Sequence, residues 1–136
     1  MANFLIGKGI MVAAVAVVLS VAMASCQMNS NTLIGYQRIS AAEALVMMNS
    51  YDELIILDVR TEEEFSEGHI PGAILIPDYE LSERAEAELP NKDQLILVYC
   101  RSGRRSKAAA EMLVGMGYTN VKDFGGIIDW KYDIEK

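Results

Sequence analysis

One thiol and three guanidinium groups lie together in a segment of seven residues, Cys100 to Ser106, which reads Cys-Arg-Ser-Gly-Arg-Arg-Ser. Backbone N–H groups in a loop that leads into a helix can cradle an anion, and the arginines add positive charge. A thiolate is also an anion, so the same setting favours the nucleophilic form of Cys100 without a separate general base. The segment therefore predicts a nucleophilic cysteine within an anion-binding loop. The residues expected to bind the anionic substrate are Arg101, Ser102, Gly103, Arg104, Arg105 and Ser106.

A strand and a helix flank this segment and would position it. The preceding residues, 95–99, form a continuous apolar run, which is typical of a strand buried on both faces of a parallel sheet. After the loop, apolar residues recur on one helical face as far as Met116, and Gly117 ends the predicted helix. Cys100 would then lie at the carboxyl end of a buried strand.

The chain from residue 36 onward alternates strands and helices. Ser40 with Glu43, and Thr61 with Glu64, are capping boxes that predict two helix starts. Asp78 can cap another helix, which Pro90 ends. Strands are predicted at 54–59, 73–76, 95–99 and 121–124. Strands separated by helices predict an α/β fold with a mainly parallel central sheet, helices on both faces, and ligands bound at the carboxyl ends of the strands.

The charge and length of the chain exclude some classes of protein. Its 136 residues suit one ordinary domain, and 12 Lys and Arg against 19 Asp and Glu give a formal net charge of −7. Residues 1–25 contain one lysine and no acidic residue, so the remainder carries −8. Nucleic-acid binders are usually basic, so we expect no nucleic-acid partner.

The N-terminal segment is typical of an export signal. Lys8 precedes an uncharged apolar run, 10–24, which is shorter than the stretch of about 20 residues that spans a bilayer. The run ends in Met23-Ala24-Ser25-Cys26, which resembles the lipobox of bacterial lipoproteins, although Met23 stands where Leu is usual. Residues 22–24 also fit an ordinary small-x-small cleavage pattern, so a soluble exported product and an uncleaved anchor stay open as alternatives.

The resulting division of the chain has three parts. We expect residues 1–25 to be a signal peptide cleaved before Cys26, residues 26–35 to be a flexible polar tether, and residues 36–136 to be the folded domain. Lipidation of Cys26 would attach the protein to a membrane, facing the periplasm or the cell exterior. The oligomeric state is open.

Four motifs in the domain resemble those of the rhodanese-like sulfurtransferases, in the same order. They are Leu57-Asp58-Val59-Arg60 at a strand end, the turn Gly68-His69-Ile70-Pro71-Gly72-Ala73, the loop from Cys100 to Ser106, and Gly125-Gly126 followed by Trp130. The resemblance covers roughly residues 36–135. It implies that Cys100 accepts a sulfane sulfur from a donor such as thiosulfate, holds it as a persulfide, and yields it to cyanide or a thiol. Neither a cofactor nor a metal is implied.

Two other functions compete with sulfur transfer. Cys-dependent phosphatases also place an anion-binding loop after a cysteine, but they have five residues before the arginine and often a His before the Cys. Here four residues separate Cys100 from Arg105, and Tyr99 precedes the cysteine. A non-catalytic or persulfide-carrying rhodanese-like module is the second alternative; many such modules lack the cysteine that this chain retains.

Arg60 is the remaining candidate for substrate binding. It follows a predicted buried strand, whose carboxyl end should lie near the mouth of the site, but it can equally form a structural ion pair with Asp58. His69 is the only histidine and has no Cys or carboxylate at ligand spacing, so the sequence predicts no metal site.

Overall fold

The computed structural model describes residues 35–136. The predicted signal segment 1–25, Cys26 and all but the last residue of the predicted tether lie outside the described residues. Nine helices and strands follow one another in the described part: β1 (Gln37–Arg38), α1 (Ala41–Ser50), β2 (Ile55–Asp58), α2 (Glu62–Glu67), β3 (Ile74–Leu75), α3 (Leu81–Glu88), β4 (Ile96–Cys100), α4 (Arg104–Gly115) and β5 (Val121–Gly126). Short 3₁₀ turns at Asp78–Glu80 and Ile127–Asp129 complete the order.

The five strands form one parallel sheet in the order β1-β5-β4-β2-β3, which confirms the predicted α/β fold class. β4 lies in the middle and is completely buried. Since side chains alternate along a strand, Ile96, Val98 and Cys100 face the core formed with α3 and α4, whereas Leu97 and Tyr99 face the core formed with α1. The Cys100 side chain therefore lies on the side of the sheet that α4 covers.

The capping boxes predicted from sequence are both present. The Ser40 hydroxyl accepts a hydrogen bond from the Glu43 N–H at the start of α1, and Thr61 does the same for Glu64 at the start of α2. Each glutamate also accepts from the backbone N–H of its capping residue. These bonds satisfy N–H groups that a helix start leaves without partners.

Several predicted boundaries were wrong in detail. Asp78 does not cap a helix: it opens a 3₁₀ turn whose cap, Pro77, makes no side-chain hydrogen bond, and α3 begins only at Leu81. The strand predicted at 73–76 is only two residues long, and β1 was not predicted. Within residues 35–136, none of the helices is long and apolar enough to cross a membrane.

Candidate active site

Cys100 is the last residue of β4, at the carboxyl edge of the sheet, where the sequence places it. Its residue surface is 1% exposed, and β4 is flanked by β2 and β5. The register between β4 and β5 shifts between Val98 and Cys100, so that Cys100 lies opposite Gly126. Such an irregularity changes the direction of a strand end, and here it lies immediately before the loop.

The loop turns sharply between β4 and α4. Gly103 adopts a left-handed conformation (φ 103°, ψ −13°) that L side chains rarely adopt, and its N–H donates a hydrogen bond of 3.0 Å to the Cys100 Sγ. The first N–H that bonds within α4 is that of Lys107, which donates to the Gly103 carbonyl. The preceding N–H groups lie in the first turn, where a helix supplies no carbonyl partners. An anion held beside Cys100 can accept hydrogen bonds from these groups.

The charges in the first turn of α4 also indicate an anion. α1 and α2 have acidic residues in their first turns, which complement the positive end of a helix dipole, but α4 begins with Arg104 and Arg105 and has no acid in its first turn. Cations at this position are unfavourable by some tenths of a kcal/mol each, roughly, unless an anion lies nearby. Arg101 and Arg104 are exposed, which leaves both available to a charged ligand.

Arg105 is held in place by Glu64 of α2. Its Nη1 and Nη2 donate to the two carboxylate oxygens of Glu64, both at 2.8 Å. The bidentate pair lowers the pKa of Glu64 from 4.5 to about 2. The pKa of Arg105 is raised, chiefly by the Glu64 hydrogen bonds, and Cys100 and Asp78 contribute smaller attractions. Arg105 thus keeps its charge close to Cys100 while Glu64 fixes its direction.

Gly126 lets the end of β5 approach the loop. A Cβ at this position would lie 2.2 Å from the Arg101 carbonyl oxygen and 2.6 Å from the Ser102 Cα, distances that no side chain tolerates. The Arg101 carbonyl also accepts a hydrogen bond from the Ile128 N–H, at 3.2 Å. The Gly-Gly motif therefore supports the back of the loop.

Ser106 supports the loop through its side chain. It is fully buried, and its hydroxyl donates to Asp123 Oδ1 at 2.7 Å. The Ser106 hydroxyl proton is therefore not free to bind a substrate. Substrate binding by Ser106 stays a prediction, and it now concerns only the backbone N–H of this residue. Arg104 and Arg105 likewise contribute first-turn N–H groups, whereas the Gly103 N–H already donates to the Cys100 Sγ.

The geometry of Arg60 favours the ion-pair interpretation over substrate binding. Arg60 is 5% exposed, and its guanidinium donates to both oxygens of Asp58 at 2.7–3.0 Å. It also donates to the Gly68 carbonyl at 2.7 Å and lies 5.6 Å from the centre of the Tyr99 ring. Burial opposes the charge of Arg60, but the bonds to Asp58 outweigh it and raise the pKa of Arg60. The pair ties β2 to the turn that follows α2.

His69 lies in that turn and binds its neighbours. Its ring stacks on Phe65 with 3.7 Å between centroids, Nδ1 lies 3.0 Å from the Phe65 carbonyl oxygen, and Nε2 lies 3.3 Å from Glu135. A two-way backbone bridge joins His69 to Glu135, which fastens the C-terminal segment. Among the described residues, no group of three or more His, Cys, Asp or Glu is arranged to hold a metal ion.

Three residues that support the site were not identified from sequence. The capping box by itself accounts for a glutamate at position 64, so the sequence gives no reason to look for a second partner. That partner is Arg105, which lies 41 positions further along the chain. Asp123 could have been noticed as an acidic residue inside the predicted strand 121–124, where it follows Lys122. Arg38, which binds Asp123, carries no signal of its own.

Comparison with known proteins places this geometry in a family. A family model described as the rhodanese-like domain matches residues 40–133. "Thiosulfate sulfurtransferase PspE" of Escherichia coli is 44% identical over 73 residues, which cover 54% of this chain and 70% of that protein. "Adenylyltransferase and sulfurtransferase UBA4" of Candida albicans is 36% identical over 105 residues, covering 72% of this chain. The chain spans about a quarter (24%) of that longer relative.

Solved structures agree with the sequence matches. The structure titled "rhodanese with anions from E. coli" is 40% identical, with a TM-score of 0.57, and the alignment covers 60% of this chain and 96% of that one. The chain therefore belongs to the rhodanese-like family, and residues 40–133 are its rhodanese-like domain.

Proposed function

We propose that this protein is a sulfurtransferase that moves a sulfane sulfur from thiosulfate or a similar anionic donor to a thiophilic acceptor through a persulfide on Cys100. The observation that carries the proposal is the position of the Cys100 Sγ, which accepts the Gly103 N–H at 3.0 Å where a helix begins with two arginines. The names of the relatives support sulfur transfer as the reaction class.

The first half of the proposed cycle is an attack on the donor. The Cys100 thiolate forms a bond to the outer sulfur of thiosulfate, and the bond between the two donor sulfurs breaks. Its electron pair leaves with sulfite, so that three negative charges enter the step and three leave it. Arg101 and Arg104 would attract the doubly charged donor, and the first-turn N–H groups of α4 would bind the terminal sulfur.

The second half regenerates the thiolate. An acceptor nucleophile, cyanide or a thiolate, bonds to the terminal sulfur of the persulfide, and the sulfur–sulfur bond to Cys100 breaks with its electron pair returning to Cys100. The product is thiocyanate or a new persulfide. No other cysteine lies in residues 35–136, so an internal disulfide within this part of the chain cannot release the sulfur.

Steady-state kinetics test this cycle. The full chain is assayed for thiocyanate formation while thiosulfate and cyanide are varied, and we expect the parallel reciprocal plots of a two-step exchange. Cys100→Ser should abolish turnover, whereas the matched variant Cys26→Ser should keep it. Equal activity in the parent and in Cys100→Ser would contradict the proposal.

We also propose that the protein is exported and held at a membrane by a lipid on Cys26, with residues 26–35 as the tether. The support is the sequence alone: the uncharged run 10–24 and the small residues before Cys26. The domain would then meet its sulfur donor and acceptor outside the cytoplasm.

A further inference from the structure

Asp123 is a fully buried carboxylate beside the loop. Its residue surface is 0% exposed, and it lies on β5 on the side of the sheet that α4 covers. Burying a carboxylate costs several kcal/mol, roughly, unless donors surround it. Neither the reaction proposed above nor the apolar core explains a charge at this position.

Three donors from three parts of the chain converge on this carboxylate. Oδ1 accepts from the Ser106 hydroxyl at 2.7 Å and from the Gly125 N–H at 2.9 Å, and Oδ2 accepts from the Arg38 Nη1 at 3.1 Å. Ser106 lies in the first turn of α4, and Gly125 belongs to the strand end that supports the loop. Asp123 therefore joins the helix start to the strand end.

Arg38 covers the same junction from the edge strand β1. Its side chain is 59% exposed, yet its Nη2 lies close enough to contact a Cβ placed on either Gly103 or Gly125, at 3.5 and 3.2 Å. The guanidinium thus lies over the point where the loop meets β5. An exposed arginine held here can supply charge to the loop as well as a hydrogen bond.

Asp123 lies close enough to the Cys100 thiol for its charge to affect anions at the site. Asp123 pairs with Val98, two residues before Cys100 and on the same face of the sheet. Strand spacing and rise put the Cα atoms of Asp123 and Cys100 about 8 Å apart. A bare carboxylate at that distance would repel a thiolate and an anionic donor, and the separation is within one Debye length at physiological salt.

We propose that Arg38 and Asp123 form a neutral positioning pair for the Cys100 loop: Asp123 fixes the loop through Ser106 and Gly125, and Arg38 cancels the charge that this fixing introduces. The inference rests on the proposed function insofar as an anionic donor binds there. It assigns a role to Arg38, which no motif of the chain predicts, and it treats both residues as positioning residues that touch no reacting atom.

The potential at Cys100 can be measured without any sulfur donor. The full chain is alkylated with iodoacetate or iodoacetamide, and modification of Cys100 is followed by peptide mass spectrometry, so that Cys26 does not interfere. The ratio of the anionic to the neutral rate reports the local charge. In Arg38→Gln the uncompensated Asp123 should lower this ratio about fivefold, as expected for one unit charge about 8 Å away at an effective dielectric constant of about 40.

Charge rescue separates this role from a merely structural one. The double variant Arg38→Gln/Asp123→Asn should return the ratio to within about twofold of the parent, because the charge that Arg38 cancelled is gone. Arg38→Lys should also stay within about twofold, since it keeps the cation. The matched control is Lys92→Gln. It removes a cation that donates a hydrogen bond to the Met116 carbonyl at the C-terminal end of α4, about 18 Å from the helix start that follows Cys100.

The outcomes are distinct. A ratio that falls in Arg38→Gln and recovers in the double variant supports the pair, and the KM for thiosulfate should then rise and recover in parallel while kcat changes less. An unchanged ratio in Arg38→Gln, or no recovery in the folded double variant, overturns the pair. Since alkylation needs no donor, a protein that never turns over thiosulfate would contradict the proposed function and leave this test intact.

Discussion

At the scale of single residues, the buried charged side chains depend most strongly on their partners. Asp58 and Arg60 are almost fully buried and bind each other through several hydrogen bonds, while Asp123 shares its oxygens among three donors. Among the described residues, no buried side-chain nitrogen or oxygen lacks a partner. Removing one partner from such a set is costly because the other charge remains in a place that water cannot reach.

Arg60→Met should destabilise the domain by about 3–5 kcal/mol, because it leaves the Asp58 carboxylate buried without its cation. Urea unfolding followed by circular dichroism measures the loss. Arg60→Met/Asp58→Asn, which removes both charges, should be more stable than the single variant. A loss below about 1 kcal/mol in the single variant would show that this pair does not hold β2 to the turn at Gly68.

The Glu64–Arg105 pair predicts a pH dependence. The pKa of Glu64 is lowered from 4.5 to about 2, so its contribution to stability is complete above pH 4.5 and is lost as the pH falls toward 2. The pair is about a quarter exposed, so solvent weakens it. We expect Glu64→Gln to lower the free energy of unfolding by about 1 kcal/mol at pH 7.

The same difference should shrink toward zero as the pH is lowered from 4.5 to 2, because the parent protein then protonates Glu64 as well. Thermal unfolding of parent and variant in parallel over this interval provides the measurement. A difference that stays constant down to pH 2 would show that the carboxylate charge is not what stabilises Arg105.

At the scale of elements, the site forms where β4, α4 and the end of β5 meet. β4 supplies the cysteine, α4 supplies N–H groups and arginines, and β5 supplies the glycines against which the loop lies. The loop itself has few residues and no side-chain cap, so its shape depends on these neighbours. Substitutions in β5 should therefore disturb chemistry at Cys100.

Gly126→Ala tests this dependence. Its Cβ would overlap the Arg101 carbonyl and the Ser102 backbone, so we expect a stability loss of about 1–3 kcal/mol and a large loss of thiocyanate formation. The control is Gly115→Ala at the end of α4, where nothing lies within 4 Å of the added atom and alanine favours the helix. Parent-like activity in Gly126→Ala would contradict the account of the loop support.

Short sequence patterns predicted most of the helices and strands. They did not predict the pairings between residues that are far apart in the sequence. Both capping boxes and the apolar run before Cys100 were predictable because each is contained in a few consecutive residues. β1 was not, since two exposed residues form a strand only by pairing with β5. The partner of Arg105 was missed because it lies on another helix, far away in sequence.

The catalytic candidate was predictable because its chemistry and its fold agree. A cysteine after a buried strand, followed by glycine and arginines before a helix, satisfies both a structural and a chemical pattern within seven residues. Arg60 shows the limit of such patterns. A strand-end arginine can point to a ligand or to its neighbour Asp58, and only packing decides between them.

At the scale of the whole molecule, an acidic chain carries a cationic loop. With a net charge of −7, the chain as a whole repels anions, whereas the exposed Arg101 and Arg104 place positive charge at one loop, beside an Arg105 that is paired with Glu64. Salt should therefore weaken donor binding at the loop, because it screens the exposed Arg101 and Arg104. The KM for thiosulfate should rise with ionic strength while kcat stays nearly constant.

The attachment proposed for Cys26 has its own test. The full chain expressed in a bacterial host should incorporate labelled palmitate and sediment with membranes, and Cys26→Ala should lose the label. Cys100→Ser, which removes the other cysteine, is the matched control and should keep it. Labelling that persists in Cys26→Ala would exclude lipidation at this cysteine.

The central claim, a persulfide on Cys100, is tested most directly by intact mass. The full chain is incubated with thiosulfate, freed of excess donor, and weighed with and without a thiol reductant, beside Cys100→Ser and Cys26→Ser. We predict a gain of one sulfur atom in the parent and in Cys26→Ser, removed by reductant and absent from Cys100→Ser. No gain in a parent whose Cys100 titrates as a free thiol would contradict sulfur transfer from thiosulfate.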